Sequence, residues 1–175
     1  MADDVMELAG PLSDRDRWTA AQWCPLERAL DLIGTRSAMT LLREVFYGGR
    51  RFDDLVRRAG VTDAVGSKRL RQLVEAGMLT RVPYREPGQR TRHEYVLTEQ
   101  GRELFPLLVS LIRFGSLLPA ERPGELELTH AGCGAEIEPR VRCAAGHDVP
   151  VADTVVRVVK VSGGLAADAT PPVEG

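Results

Sequence analysis

The chain has few aromatic residues, few cysteines and no long hydrophobic run. Aromatic residues make up 5% of its 175 residues, so the core has to be built from aliphatic side chains. Three cysteines are too few for the disulfide framework of a small secreted protein. No apolar run approaches the roughly 20 residues of a membrane span, and the acidic start, MADDVMELAG, does not resemble a signal peptide. These absences predict a cytoplasmic globular protein without a membrane partner.

Signatures of catalysis are also missing from the sequence. The histidines His93, His130 and His147 are far apart in the chain, and neither a glycine-rich phosphate loop nor a nucleophile elbow is present. Asp53 and Asp54 fall at the start of a predicted helix, where solvated carboxylates interact favourably with the helix dipole. We therefore do not expect an enzyme.

Charge is distributed unevenly along the chain. The net charge is -2, yet residues 43–102 contain 13 Lys and Arg against 8 Asp and Glu. Between residues 68 and 92 there are seven basic residues and two acidic ones. Because the flanking segments are acidic, this distribution predicts a local surface that binds a polyanion.

Hydrophobic periodicity predicts three short helices before residue 60. CPLERALDLIG, SAMTLLREVFYGG and RFDDLVRRAG each place apolar residues at helical spacing. Pro25 suits a first helical position, and Gly34, Gly48 and Gly60 suit helix ends. The residues predicted to face inward are Leu26, Ala29, Leu30 and Ile33, then Ala38, Leu41, Leu42 and Val45, then Phe52, Leu55, Val56 and Ala59.

A fourth helix is predicted at residues 62–76, with Thr62 as its N-cap. If Leu70 lies at the centre of the buried face, 100° per residue also places five other residues inside. These are Gly66, Ser67, Leu73, Val74 and Gly77. With the third helix and the AGVT turn it forms a helix-turn-helix pair. The outward residues are Val65, Lys68, Gln72 and Glu75, with Arg69 and Arg71 at the sides.

Two alternating segments follow, MLTRVPY and RHEYVLT, and predict a β-hairpin, or wing, with a basic tip at residues 83–92. Thr98 is expected to cap a long apolar helix that Pro106 bends. After the linker PAERPGE, valine-rich segments with short turns predict a small β-rich extension, and the last residues lack the pattern of a folded segment.

The fourth helix and the wing together favour binding of double-stranded DNA. An α-helix fits the major groove, where Lys68 and Gln72 could reach base edges and Val65 a thymine methyl group. The alternatives are a solvated helix face and a winged helix that contacts only proteins. The predicted DNA-binding residues are Thr62, Val65, Lys68, Arg69, Arg71, Gln72, Arg85, Arg90 and Arg92.

The segments CPLERALDLIG, RFDDLVRRAGVTDAVGSKRLRQLVEAGMLTR and HEYVLTEQGREL resemble the HxlR family of bacterial winged-helix transcription regulators. The resemblance implies a homodimer, paired through the first helix and the long C-terminal helix, on a pseudo-palindromic operator. The expected fold is α+β, mainly α. Its parts are a flexible arm (1–20), the winged-helix domain (21–120), a β-rich, degenerate zinc-ribbon-like extension (121–162) and a disordered tail (163–175).

Two positions depart from the family pattern, and one cysteine matches it. Ser37 stands where the family usually has an aromatic residue, which suggests a cavity for a small-molecule effector. Asp63 or Ala64 replaces the usual proline. Cys24 matches a cysteine that some members use as a redox sensor, and its place before a helix favours the thiolate. A sensor whose main input is Cys24 or the cavity is therefore a further hypothesis, the alternative being a structural thiol.

The C-terminal extension contains two Cys–His pairs. His130 and Cys133 are three residues apart, and Cys143 and His147 are four apart. Four such side chains are a ligand set that zinc accepts. The extension resembles a ribbon in longer family members, where a last cysteine stands at the position of Gly146. The alternatives are a zinc site and a hairpin without metal.

Overall fold

The computed structural model describes residues 5–19, 23–88, 90–119, 124 and 126–159. The chain divides into two units, Ala29–Pro139 and the pair of terminal segments Met1–Arg28 and Arg140–Gly175. We call the first the winged unit and the second the terminal unit. No described helix is both long enough and apolar enough to cross a membrane.

Four helices occupy the predicted positions: α1 (Pro25–Ile33), α2 (Arg36–Phe46), α3 (Phe52–Ala59) and α4 (Asp63–Glu75). The predicted start at Pro25 and the predicted end at Gly60 are confirmed, and one helix cap was not predicted. Thr35 caps α2 by accepting a 3.3 Å hydrogen bond from the backbone N–H of Ala38. Gly60 ends α3 with φ of 65°, a left-handed conformation that glycine adopts without steric cost.

The core of the winged unit is aliphatic, as the scarcity of aromatic residues predicts. Leu41, Leu55, Leu70 and Leu73 are fully buried, and burial of each such side chain stabilises the fold by about 1.5–3 kcal/mol. The remaining buried members of this cluster are Ile33, Leu42, Val45, Met78 and Leu79. The inward faces predicted for α2, α3 and α4 are therefore confirmed.

The prediction for α1 is only partly right. Ile33 is buried, but Ala29 is exposed, and Leu26 and Leu30 are 64% and 52% exposed. The helix has the predicted apolar stripe, yet most of it faces solvent in a single copy. Periodicity shows which face is apolar but not what covers it.

The wing is an antiparallel hairpin of β2 (Leu79–Tyr84) and β3 (Arg92–Leu97), in which Leu79 faces Leu97 and Tyr84 faces Arg92. The prediction of one long bent helix after Thr98 is wrong. The chain forms two helices, α5 (Glu99–Arg102) and α6 (Phe105–Ser116). Pro106 explains the break, because its ring excludes the carbonyl four residues earlier and it has no N–H to donate.

The terminal unit differs from the predicted separate arm and extension. Strand β1 (Glu7–Leu8) pairs in parallel with β4 (Val155–Val156). Leu12 of the predicted arm is 3% exposed. Backbone pairing between distant segments leaves no local sequence pattern, so periodicity could not reveal it. The predicted disordered tail, 163–175, lies outside the described residues.

Candidate nucleic-acid interface

The turn between α3 and α4 sets the geometry of the helix-turn-helix. Thr62 caps α4, its hydroxyl oxygen accepting a 3.4 Å hydrogen bond from the N–H of Val65. A Cβ atom built on Gly66 would lie 2.4 Å from Cγ2 of Val56 in α3. The two helices therefore approach as closely as a glycine allows, and this contact fixes the direction in which α4 presents its outer face.

The outer face of α4 matches the prediction at most positions. Lys68, Arg71 and Val65 are exposed, while Leu70 and Leu73 on the opposite side are completely buried. Gln72 and Arg69 are half-buried. Nη1 of Arg69 donates a 2.9 Å hydrogen bond to Oε1 of Gln72, so this amide is already oriented. The Gln72 amide still retains its NH₂ group as a donor.

The three wing arginines, Arg85, Arg90 and Arg92, are all exposed. Arg92 faces Asp53 at the start of α3, with 3.8 Å between Nη1 and Oδ2. The sequence analysis did not select Arg51, which lies against the same hairpin. Its guanidinium is 4.8 Å from the centre of the Tyr84 ring and 2.9 Å from Glu86. The sequence feature that could have pointed to Arg51 is the pair of arginines, Arg50 and Arg51, just before α3.

Asp54 in α3 forms ion pairs with two arginines of the same helix, Arg57 and Arg58. Burial by itself raises the pKa of Asp54. The hydrogen bond and positive charge of Arg58, with those of Arg57, outweigh that effect and hold the pKa below its ordinary value of 3.8. These pairs offset one of the two positive charges at the end of α3, so this end of the helix keeps a net positive charge.

The predicted sensor positions lie at the starts of α1 and α2. Cys24 is half-buried, and its carbonyl accepts a 3.4 Å hydrogen bond from the N–H of Arg28. Ser37 is half-buried, with its hydroxyl oxygen 3.3 Å from that of Thr35.

Each predicted metal-binding pair is brought together within its own turn. Nδ1 of His130 lies 3.2 Å from Sγ of Cys133, and Nδ1 of His147 lies 3.6 Å from Sγ of Cys143. Hydrogen bonds from the backbone N–H groups of His147 and Ala145 lower the pKa of Cys143 from its ordinary value of 9.0. Over the described residues, the structure groups no three His, Cys, Asp or Glu side chains as metal ligands.

The helix-turn-helix and its hairpin define a winged-helix protein. Its sequence is 44% identical over 117 residues to the uncharacterized HTH-type transcriptional regulator Rv3095 of Mycobacterium tuberculosis, a match covering 66% of this chain and 73% of the relative. A regulator of Synechocystis, sll1512, is 36% identical over 53% of this chain and 68% of its own length. The HxlR-like helix-turn-helix family matches residues 32–122. The chain belongs to this family.

Solved structures share the fold. PA1607, a proposed transcription factor, superposes with a TM-score of 0.66 and 31% identity over 83% of this chain and 98% of its own. The proposed transcription factor PA1374 from Pseudomonas aeruginosa gives 0.56 and 27%, covering 81% and 97%. The redox regulator HypR in its oxidized form gives 0.50 and 30%, covering 55% and 99%. The chain is thus a helix-turn-helix transcription regulator.

Proposed function

We propose that this regulator binds double-stranded DNA sequence-specifically, with α4 in the major groove and the wing on the adjoining backbone. The observation that carries the proposal is the outer face of α4, where Lys68, Arg71 and Val65 are exposed on a helix fixed by buried leucines. A rigid helix is required for base readout, because hydrogen bonds to base edges tolerate little displacement.

The side chains divide into two roles by their position. Lys68, Gln72 and Val65 lie where base edges would be reached, and they would set the sequence preference. Phosphate groups would be contacted by Arg69 and Arg71 and by the wing residues Arg85, Arg90 and Arg92. Thr62, at the N-terminus of α4, would place backbone N–H groups near a phosphate.

We also propose that the functional form is a homodimer on a pseudo-palindromic operator. Leu107, Leu111, Phe114 and Leu118 recur at intervals of four, three and four residues along α6 and the residues after it. They are 40%, 44%, 60% and 52% exposed. A stripe of this size on a monomer is expected to be covered by another surface. A second copy is the simplest partner, since one two-fold axis pairs the same stripe with itself.

This proposal is tested by selecting bound sequences from a random DNA pool. The selection is performed with and without an oxidant. We expect an inverted repeat whose half-sites are separated by one helical turn or a multiple of it. Lys68→Ala should cost roughly 1–3 kcal/mol at a single base position and relax specificity there. Arg90→Ala should weaken binding evenly across sequences and reduce the salt slope by about one. Equal losses on selected and random DNA for both variants would contradict the division of roles.

The alternative functions are kept apart by the same experiment. A winged helix that contacts only proteins would select no sequence from the pool. The likeness to the redox regulator HypR motivates a redox input through Cys24. This hypothesis requires that an oxidant changes the DNA affinity of the wild type but not that of Cys24→Ser. An effector near Ser37 requires that an apolar metabolite raises the unfolding temperature.

Zinc binding through His130, Cys133, Cys143 and His147 stays a prediction. It is supported by the local geometry of each pair and by the lowered pKa of Cys143, since zinc binds the thiolate. Metal analysis of protein purified without a histidine tag decides it: one zinc per chain is expected, and its absence would leave the ribbon without metal.

A further inference from the structure

A polar cleft lies between the wing and the start of α3. Its volume is about 260 Å³, and its walls include Arg51, Asp53, Arg81, Tyr84, Arg92 and His93. The backbone builds it. The N–H of Tyr95 donates a 2.8 Å hydrogen bond to the carbonyl of Arg50, and Arg51 forms a β-bridge with Glu94. Residues 50 and 51 therefore lie along the edge of β3, and α3 begins directly beside the hairpin.

The arginines of the cleft differ in how well they are neutralised. Arg51 is held by Glu86 at 2.9 Å, lies 3.9 Å from Glu94 and covers the ring of Tyr84, so it forms a fixed wall. Arg92 has only the 3.8 Å approach to Asp53, whose side chain is 83% exposed. An exposed ion pair at this distance contributes little, so its carboxylate is easily replaced.

Arg81 is the most available cation of the cleft. In the part of the chain that the structure describes, no carboxylate lies within 4.0 Å of its guanidinium. Its one polar contact among the described residues is a 3.0 Å hydrogen bond from Nη2 to Nδ1 of His93. That bond orients the guanidinium without neutralising it. The cleft is thus lined by two arginines that are not firmly paired with a carboxylate. Arg81 has no carboxylate partner among the described residues, and Arg92 has only a weak one.

We propose that this cleft binds an oxyanion, a phosphate or carboxylate group, through Arg81 and Arg92. The planar guanidinium donates two parallel hydrogen bonds to such groups. The volume lies just below the 300–1,000 Å³ of sites for drug-sized ligands and suits one phosphate or a small organic acid. The oxyanion would displace Asp53 from Arg92 and add a partner to Arg81.

Two sources can supply this group, and the second part of the proposal rests on the proposed function. One source is a phosphodiester of the bound DNA, which would extend the DNA interface to Arg81. The other is a free organic anion, which would withdraw Arg92 from DNA and so act as an effector. The chemistry of the site is the same in both.

The first test uses inorganic phosphate at constant ionic strength, without DNA. The arginine Nε–Hε NMR signals of Arg81 and Arg92 should shift saturably. Arg81→Gln should weaken phosphate binding about tenfold or more, as expected for loss of a hydrogen bond to a charged group. Arg71→Gln is the matched control on α4 and should bind phosphate like the wild type. Absence of saturable shifts at Arg81 and Arg92, or equal shifts at Arg71, would overturn the proposal.

DNA binding by the same variants separates the two sources. If Arg81→Gln weakens binding to selected and random DNA alike and lowers the salt slope by about one, the oxyanion is a DNA phosphate. If Arg81→Gln binds DNA normally, and phosphate weakens DNA binding by the wild type only, the oxyanion is a free anion. Phosphate binding without any DNA binding would support the cleft and reject the proposed function. If Arg71→Gln loses DNA binding and the wild type shows no saturable phosphate binding, the proposed function is supported and the oxyanion site is rejected.

Discussion

The contact between Gly66 and Val56 makes the substitution Gly66→Ala a sensitive test of the helix-turn-helix. The added methyl group would lie 2.4 Å from Cγ2 of Val56 and 3.8 Å from Cε2 of Phe52. Val56 is 5% exposed, and its β-branched side chain has one strongly preferred rotamer in a helix. The valine therefore cannot rotate away, and the backbones of α3 and α4 have to separate.

Two opposing effects determine the size of the change. Overpacking a well-packed core by one methyl group costs about 1–3 kcal/mol. Replacing glycine by alanine inside a helix gains about 1 kcal/mol from backbone entropy. We therefore expect Gly66→Ala to lower the free energy of unfolding by about 0–2 kcal/mol, with about 1 kcal/mol as the central value.

In the background of Val56→Ala, the effect of Gly66→Ala on the free energy of unfolding should change sign. In Val56→Ala the obstructing Cγ2 is absent, so the alanine at position 66 fits and only the helix-propensity gain remains. There the same substitution should stabilise the protein by up to about 1 kcal/mol. The coupling between the two sites should be about 1–3 kcal/mol, within the range known for residues in contact.

Urea unfolding followed by circular dichroism measures all four variants. The protein concentration has to be held constant, because the stability of a dimer depends on it. If Gly66→Ala stabilises the wild type as much as it stabilises Val56→Ala, the close approach of α3 and α4 is wrong. The orientation of the outer face of α4, which depends on this contact, would then also be wrong.

Three further predictions concern the dimer, acid stability and a thiol. Phe114→Glu would place a charge in the proposed apolar interface and should give a monomer by sedimentation equilibrium. The control Ser116→Glu, on the opposite side of α6, should stay dimeric. A dimeric Phe114→Glu would contradict the interface. The lowered pKa of Asp54 means that its pairs stabilise the fold above about pH 4 and that this contribution is lost as pH falls through the folded-state pKa. Wild type and Asp54→Asn should therefore differ in stability at pH 7 and converge in acid, and a constant difference would refute the pairing. In a Cys24→Ser, Cys133→Ser background, alkylation of Cys143 should reach half its maximal rate below the ordinary thiol pKa of 9.0, and a midpoint at or above that value would count against the backbone hydrogen bonds.

Much of the winged unit could be predicted because its signals are local. Thr62 and Gly60 are the residues that a helix start and a left-handed turn require, and both have these roles. The outward direction of Lys68 followed from placing Leu70 inside, since the helical period leaves no other arrangement. The same reasoning was less accurate for Gln72, which is half-buried and whose amide oxygen accepts a hydrogen bond from Arg69.

Other features depended on the tertiary structure. The periodic stripe of α1 is exposed at Leu26 and Leu30, because amphipathicity does not say whether a second chain is needed to cover it. Pro106 was expected to bend one helix and instead divides it in two. The pairing of Glu7 with Val155 joins segments almost at opposite ends of the chain, and no local pattern encodes it.

By itself, the sequence determined helices α2 to α4 with their inward faces, the wing and the family, because caps, glycines and apolar spacing act over a few residues. Only the tertiary structure decided that Arg81, Arg92 and the start of α3 share one cleft. Their charges lie on separate strands and a helix, and backbone pairing along the edge of β3 brings them together. A linear charge count shows that a segment is basic, but the folded backbone determines which cations face the same ligand.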